Sequence, residues 1–269
     1  MINFPRISFG ILIFITAVCI FYGSAVSETA GYMNLAEASQ APSSSHFFGT
    51  DPLGRDVFKM LCAGGRTSLF IGLFATLIST VIAAVYGSVS AISGPKTDNL
   101  LMRFTEILIC VPQVLLIIFL LAAFGGPSAF SMAVVIGLTS WMPVAKMVRS
   151  EVRQINNAEF VLSAKISGGG FFYILWHHFV PNFLHAVMFM VVTNIGAAIA
   201  LEATLSFLGV GMQVSGISWG GLLTLSQSAI LSGAWWVLLI PGGVLVVTLI
   251  CITNMGEFLR LLNSRERVK

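Results

Sequence analysis

Five long windows without a charged side chain limit what this sequence can fold into. They cover residues 7–27, 67–95, 107–145, 166–201 and 203–256. An α-helix needs about 20 mostly apolar residues to cross a bilayer, and each window is long enough. Hydrophobic residues make up 57% of the chain, charged residues 9%, and the mean hydropathy is +0.93. That balance excludes an ordinary soluble domain and predicts an all-α integral membrane protein.

The windows divide into about six transmembrane helices. The third window holds two, because Gly125-Gly126-Pro127 interrupts it near the middle. Residues 205–232 contain five glycines and many hydroxyl side chains, which favours a re-entrant or surface-lying segment buried in protein over a lipid-facing helix. The predicted helices cover residues 7–26, 69–93, 104–124, 128–148, 183–204 and 235–256.

The first helix and the loop after it leave alternatives open. Arg6, the apolar run and the small residues Ser24 and Ala25 also fit a secretory signal peptide, whose cleavage would leave five helices. The loop at 27–66 is the longest on its side, and residues 56–66 fit a short amphipathic helix before the second span. This loop is either a solvated cap or part of a docking surface for an external partner.

The distribution of Lys and Arg predicts the orientation. With the N-terminus inside, eleven of the fourteen fall on the cytoplasmic side, and only Arg55, Lys59 and Arg66 fall outside. The positive-inside rule therefore places both termini and residues 146–182 in the cytoplasm. The net charge of +3 needs no nucleic acid to explain it.

Residues 146–182 form a charged island between apolar stretches. Apolar side chains recur at helical spacing over 151–164, and the three glycines at 168–170 end that helix. Residues 171–180 predict a second short helix, which Pro181 ends. The island therefore predicts a helix–turn–helix bracket in water.

Three side chains of the bracket suit it to docking. Ala164 and Gly168 are four residues apart and leave one bare surface for close approach by another element. Glu159 adds a charge that can pair with a partner's Arg or Lys. The alternative is an amphipathic helix that lies on the membrane.

The ionisable residues near the spans are predicted to have mainly structural roles. Arg103 and Glu106 lie three apart, which allows a pair on one helix face at the cytoplasmic border. Glu202 lies near the outer end of the fifth predicted span, where it can hydrogen-bond the glycine-rich segment and shape an outer gate. His177 and His178 point about 100° apart on a helix, which is poor geometry for one metal ion. We predict no catalytic residue and no metal site.

The island resembles the EAA loop of binding-protein-dependent ABC importer permeases. The matching residues are Glu159, Ala164, Gly168, Ile174, Pro181 and Asn182, with Ser163 where the family often has a second Ala. The likeness covers about residues 46–258. Over this range the chain is similar to the second, C-type permease of the dipeptide, oligopeptide and nickel family. It includes the GTDPLGRDV run at 49–57, DNLLMR at 98–103 and LEATLSFLGVG at 201–211, and it is only partial at 254–260.

The resemblance implies a type I importer (MetI-like) permease fold that forms half of a translocation channel. A second permease would complete a pseudo-symmetric heterodimer, two ATP-binding subunits would dock on the two EAA loops, and an extracytoplasmic binding protein would deliver cargo. The implied ATPase contacts in this chain are Glu159, Ser163, Ala164, Gly168 and Pro181. The implied location is a bacterial or archaeal plasma membrane.

The chain contains no GxxxxGK[ST] loop, so ATP and Mg²⁺ would be bound by partner subunits and this chain would not itself be an enzyme. We expect a first helix and loop at 1–66, a permease core at 67–258 with its coupling loop at 146–182, and a cytoplasmic tail at 259–269. The cargo would be peptides, with nickel or a metal chelate as runner-up.

Two other functional classes are weighed against this one. An ion-coupled secondary transporter predicts intramembrane carboxylates and inverted repeats, whereas Glu106 and Glu202 both lie near span borders. A membrane-embedded enzyme requires clustered polar chemistry within the spans, and no such cluster is evident in the sequence.

Overall fold

The computed structural model describes residues 4–212, 216–231 and 233–266, and this part of the chain is helical apart from its connections. Short pieces of 3₁₀-helix and π-helix occupy Leu35–Glu37 and Leu175–Phe179. The α-helices are α1 (Arg6–Val26), α2 (Val57–Ile92), α3 (Pro95–Cys110), α4 (Gln113–Ala123), α5 (Ala129–Ile155), α6 (Glu159–Ile166), α7 (Phe171–Ile174), α8 (Val180–Phe207), α9 (Trp219–Leu231) and α10 (Trp236–Glu266).

Five helical runs in the described residues are long and apolar enough to cross a bilayer: Arg6–Val26, Val57–Ile92, Ala129–Ile155, Phe171–Phe207 and Trp236–Leu262. Helices α3 and α4 pass the same criterion together, and they make a sixth span if they are counted as one. The prediction of an all-α membrane protein with about six spans is therefore confirmed.

The third span is not the single helix predicted at 104–124. Helices α3 and α4 meet at an angle of 90°, and Val111 between them is extended, with φ −78° and ψ 126°. Pro112 explains the break, because a proline disfavours helical backbone in the residue before it and lacks the N–H that would continue the helix. We call this junction the elbow.

Helix α2 lies at the centre of the bundle, between α5 and α8. It begins at Val57, where the Asp56 carboxylate accepts a 3.0 Å hydrogen bond from Lys59 N–H. The predicted amphipathic helix at 56–66 is therefore the first part of this 36-residue helix, not a separate element. Small residues allow its neighbours to approach closely: a Cβ added at Gly72 would lie 2.6 Å from Ile199 Cγ1.

The bracket differs from its predicted outline in two places. Helix α5 ends at Ile155 and α6 starts at Glu159, so the single helix predicted over 151–164 is wrong. Pro181 does not end a helix either, because the run from Phe171 continues through Phe207. The turn at 175–179 is π-helical, with Val180 N–H donating to Leu175 O, and this wider turn accommodates the proline that follows.

The glycine-rich segment contributes a short buried helix. Helix α9 has 13 residues, too few to cross a bilayer, and it packs against α2, α8 and α10. Trp219 and Leu222 are buried beside Met60 of α2 and Leu245 of α10. This arrangement agrees with a segment buried in protein; residues 213–215 and 232 of the predicted segment lie outside the described residues.

Candidate functional site

The bracket is anchored to the end of α5 by an apolar contact and a hydrogen bond. Val161 of α6 is fully buried, in a cluster that includes Val148 and Val152 of α5. Lys165 Nζ donates a 2.8 Å hydrogen bond to Asn156 Oδ1, in the turn that follows α5. Helix α6 therefore contacts the end of α5 at these two points.

The backbone conformation of Gly168 ends α6. Its φ is +81°, which residues with a side chain rarely adopt. An added Cβ would meet nothing within 4 Å, so the surface above Gly168 is open. Glu159, Ser163 and Pro181 are also exposed, whereas Ala164 is half-buried. Most of the residues implied as ATPase contacts thus lie at the surface of this chain.

Large apolar side chains surround these residues on the same bracket. They are exposed by 44% at Phe160, 88% at Ile166, 66% at Phe172 and 53% at Trp176. Exposed apolar side chains of this size face either lipid or a protein partner, and Phe172 and Trp176 belong to the run Phe171–Phe207 that is apolar enough to cross a membrane. The bracket lies at the end of the bundle where α5 stops, which we call the bracket end.

A buried carboxylate lies beside the bracket. Asp98 Oδ1 accepts hydrogen bonds of 2.6 Å from Ser90 Oγ and Arg149 Nε. Asp98 Oδ2 accepts 2.6 Å bonds from Arg149 Nη2 and Arg153 Nη2. The Asp98 side chain is only 3% exposed, so its charge is compensated by both arginines rather than by water. We call these four residues the clasp. No sequence pattern predicted this cluster.

Glu202 is the centre of a second buried polar cluster, at the opposite end of the bundle. Its Oε1 accepts hydrogen bonds from Ser206 Oγ at 2.8 Å and Ser218 Oγ at 2.7 Å, and its Oε2 accepts one from Ser68 Oγ at 3.0 Å. Ser218 belongs to the glycine-rich segment, and Glu202 is fully buried. The cluster joins α2, α8 and the start of α9; its role at an outer gate stays a prediction.

A cavity of about 910 Å³ opens beside the Glu202 cluster. Its walls come from the loop after α1, the first turns of α2 and described residues between Ser206 and Leu225. The polar residues Arg66, Thr67 and Thr224 line it, together with several glycines and apolar residues such as Leu222. The cavity therefore has a mixed polar and apolar lining.

The remaining predicted residues stand apart from these sites. Arg103 and Glu106 lie on α3 with Arg103 Nη1 3.9 Å from Glu106 Oε2, and both side chains are largely exposed. Such a pair contributes little to stability. Within the described residues, no three His, Cys, Asp or Glu side chains are grouped to hold a metal ion.

The fold and these sites define a class of protein: a multi-pass membrane protein with an exposed helical bracket at one end and a cavity at the other. Residues 80–259 match the family described as the binding-protein-dependent transport system inner membrane component. The chain is 38% identical over 227 residues to the dipeptide transport system permease protein DppC of Bacillus subtilis, covering 84% of this chain and 71% of that protein.

Two oligopeptide transport system permease proteins OppC are also similar. The protein from Haemophilus influenzae is 36% identical over 258 residues, which are 96% of this chain and 82% of the relative. The protein from Escherichia coli is 36% identical over 235 residues, which are 86% and 77% of the two chains. The chain therefore belongs to the family of binding-protein-dependent transport permeases. It is a permease subunit of an ABC importer and not a secondary transporter.

Proposed function

We propose that this chain is the C-type permease of a peptide importer and forms half of its translocation pore. The names of the relatives, which are dipeptide and oligopeptide permeases, favour peptides over nickel or a metal chelate. The cavity supports the same assignment, because a volume of about 910 Å³ with a mixed polar and apolar lining is of a size that holds a small organic ligand such as a short peptide. Selection among cargoes then rests with an extracytoplasmic binding protein.

In this proposal the bracket end faces the cytoplasm, with both termini, and the cavity faces outward. Two ATP-binding subunits, which hold ATP and Mg²⁺, dock on this bracket and on that of a second permease in a pseudo-symmetric heterodimer. Residues 1–66 carry the first helix and outer loop, 67–258 the permease core and 259–269 a cytoplasmic tail.

The exposed apolar face of the bracket carries the docking proposal. Phe160, Ile166, Phe172 and Trp176 expose apolar surface beside Glu159 and Gly168, and burying such a patch against a partner is favourable. Movement of the bound ATPase subunits displaces α6, and α6 displaces the end of α5 through Val161 and Lys165.

Reconstitution tests both parts of the proposal. The chain is co-expressed with its companion permease and ATP-binding subunits, purified and placed in liposomes with the cognate binding protein. We expect ATP-dependent uptake of a labelled dipeptide and none of labelled nickel. Uptake of nickel without peptide reverses the substrate assignment, and failure of the ATP-binding subunits to co-purify overturns the docking assignment.

A further inference from the structure

Helix α3 has few buried residues, and specific polar contacts join it to the bundle. Only Asp98 and Thr105 of its 16 residues are buried. Its large apolar side chains are exposed, by 70% at Leu100, 51% at Phe104 and 66% at Ile107. Leu108 is only half-buried where it packs against the apolar cluster of α2 and α5, so the position of α3 depends strongly on the groups that hydrogen-bond it.

The clasp is the first attachment, and it reaches two other helices. Ser90 lies in the last turn of α2, while Arg149 and Arg153 lie four residues apart on α5. Arg149 binds Asp98 with both Nε and Nη2, the bidentate geometry that fixes orientation as well as distance. Arg153 lies in the last turn of α5, next to the bracket, and its side chain is 45% exposed.

A tyrosine of α2 makes the second attachment. Tyr86 OH donates a 2.7 Å hydrogen bond to Leu101 O, and Thr105 Oγ1 donates a 3.2 Å bond to Tyr86 OH. The Tyr86 ring itself packs on Trp141 of α5, with 4.6 Å between ring centroids. Both attachments of α3 therefore involve α2, and each of them also contacts α5, through Arg149 and Arg153 in one case and through Trp141 in the other.

The elbow joins α3 to a helix that packs near the cavity. Ile117 and Leu121 of α4 are buried in one apolar cluster with Leu205 of α8 and Met212, and Met212 also lines the cavity. A contiguous series of contacts thus runs from the bracket through α5 and the clasp to α3, around the elbow to α4, and on to the cavity wall.

We propose that Asp98, Arg149 and Arg153 are positioning residues that transmit bracket movement to α3 and α4. When α5 shifts, the two arginines displace the buried carboxylate with them, because separating a buried carboxylate from its bidentate partner is costlier than moving a helix with few buried apolar side chains. The elbow then converts this displacement into a movement of α4 against the cavity wall. This inference rests on the proposed docking of ATP-binding subunits at the bracket.

The first test measures transport per ATP hydrolysed in the reconstituted importer. Asp98→Asn keeps the size of the side chain and removes its charge. We expect ATP hydrolysis stimulated by loaded binding protein to persist, while peptide transported per ATP falls about tenfold, a usual size for coupling between sites. Glu106→Gln is the matched control, because it removes an exposed carboxylate of the same helix, and it should leave the ratio unchanged.

If Asp98→Asn fails to fold, Arg153→Gln provides a second test of the proposal. It removes the half-exposed arginine and leaves Arg149 on Asp98, and we expect a severalfold fall in the same ratio. A purely structural role for the clasp predicts that hydrolysis and transport fall together with the amount of folded complex. That result, or a ratio equal to wild type in both variants, overturns the proposal.

A distance measurement separates this inference from the substrate assignment. Spin labels are placed at Leu100→Cys on α3 and Ser150→Cys on α5, both exposed, with the exposed Cys110 replaced by Ser. In the assembled complex we expect one narrow distance with and without ATP, and a broadened distribution in Arg153→Gln. If Arg153→Gln leaves the distance distribution unchanged, the clasp does not link α3 to α5. A wild-type complex that keeps the narrow distance but transports no peptide refutes only the proposed cargo.

Discussion

Ser218 joins the start of α9 to the buried carboxylate of Glu202 by a 2.7 Å hydrogen bond from its Oγ to Oε1. The same hydroxyl oxygen accepts a 3.0 Å hydrogen bond from Gly221 N–H and so caps the N-terminus of α9. One side chain therefore both begins the short helix and fixes it to α8. The wall of the cavity is built on this junction, since Ser206 and Gly221 both line it.

Replacing Ser218 by Ala should destabilise the protein by about 2 kcal/mol. Roughly half of this is the lost helix cap and half the lost hydrogen bond to a buried carboxylate. Thermal unfolding of the purified complex in detergent measures the change. Ser228→Ala is the control, because Ser228 is exposed on the same helix and bonds only Leu225 O. Equal melting temperatures for the two variants would show that the Glu202 cluster does not stabilise α9.

Replacing Gly168 by Trp should leave insertion intact and prevent docking of the ATP-binding subunits. The site is open within this chain, so the indole would protrude from the bracket into the space that the proposal gives to the partner. Co-purification of the ATP-binding subunits measures the effect. Gly125→Trp is the matched control, because Gly125 has φ +83° and equally open surroundings in the turn between α4 and α5. Wild-type transport by the Gly168→Trp protein would contradict the docking assignment.

Glu159 should contribute an electrostatic contact to the same interface. It is exposed, in the first turn of α6, and reversal to Lys should weaken association of the ATP-binding subunits roughly fivefold at low salt, as expected for an exposed ion pair. The loss should shrink at high salt, where such pairs are screened. Titration of detergent-solubilised permease with ATP-binding subunits at two salt concentrations measures this. Glu106→Lys serves as the control, and an equal effect of both reversals would indicate general charge rather than a contact at Glu159.

The sequence predicted the elements that depend on regional composition. Uncharged windows located the spans, because the bilayer requires long apolar runs whatever the detailed packing. The ends of the helices were harder to predict from the sequence, since they depend on local backbone chemistry. Two prolines in apolar surroundings had opposite effects. The helical run bends at Pro112, whereas it continues through a π-helical turn before Pro181. Only the three-dimensional packing decides whether the neighbouring turn widens or breaks.

The buried polar clusters were less predictable than the bracket. Asp98 is 51 residues from Arg149 and 55 from Arg153, and a single sequence contains no signal for pairing at such distances. The four-residue spacing of Arg149 and Arg153 places two cations on one helix face, a pattern from which no prediction was made. Likewise, Ser206 follows Glu202 at helical spacing, whereas Ser68 is 134 residues away. Local partners can be predicted from spacing, but remote ones require the fold.

Close packing of α2 on α5 should make Gly87 intolerant of any side chain. A Cβ there would lie 2.6 Å from Ala145 O and 2.9 Å from Val148 Cβ, so the two helices would have to separate at the base of the clasp. We expect Gly87→Ala to cost about 1–3 kcal/mol through overpacking, measured as a lower melting temperature of the complex.

Gly243→Ala is the control for that substitution. Gly243 lies inside α10 with nothing within 4 Å of an added Cβ, so the change should be neutral or stabilise by about 0.5–1 kcal/mol through helix propensity. If Gly87→Ala raised stability as much as Gly243→Ala, α2 and α5 would not be in the close contact on which the clasp depends. Since Val148 directly precedes Arg149, separating the helices should also lower transport per ATP in the Gly87 variant alone.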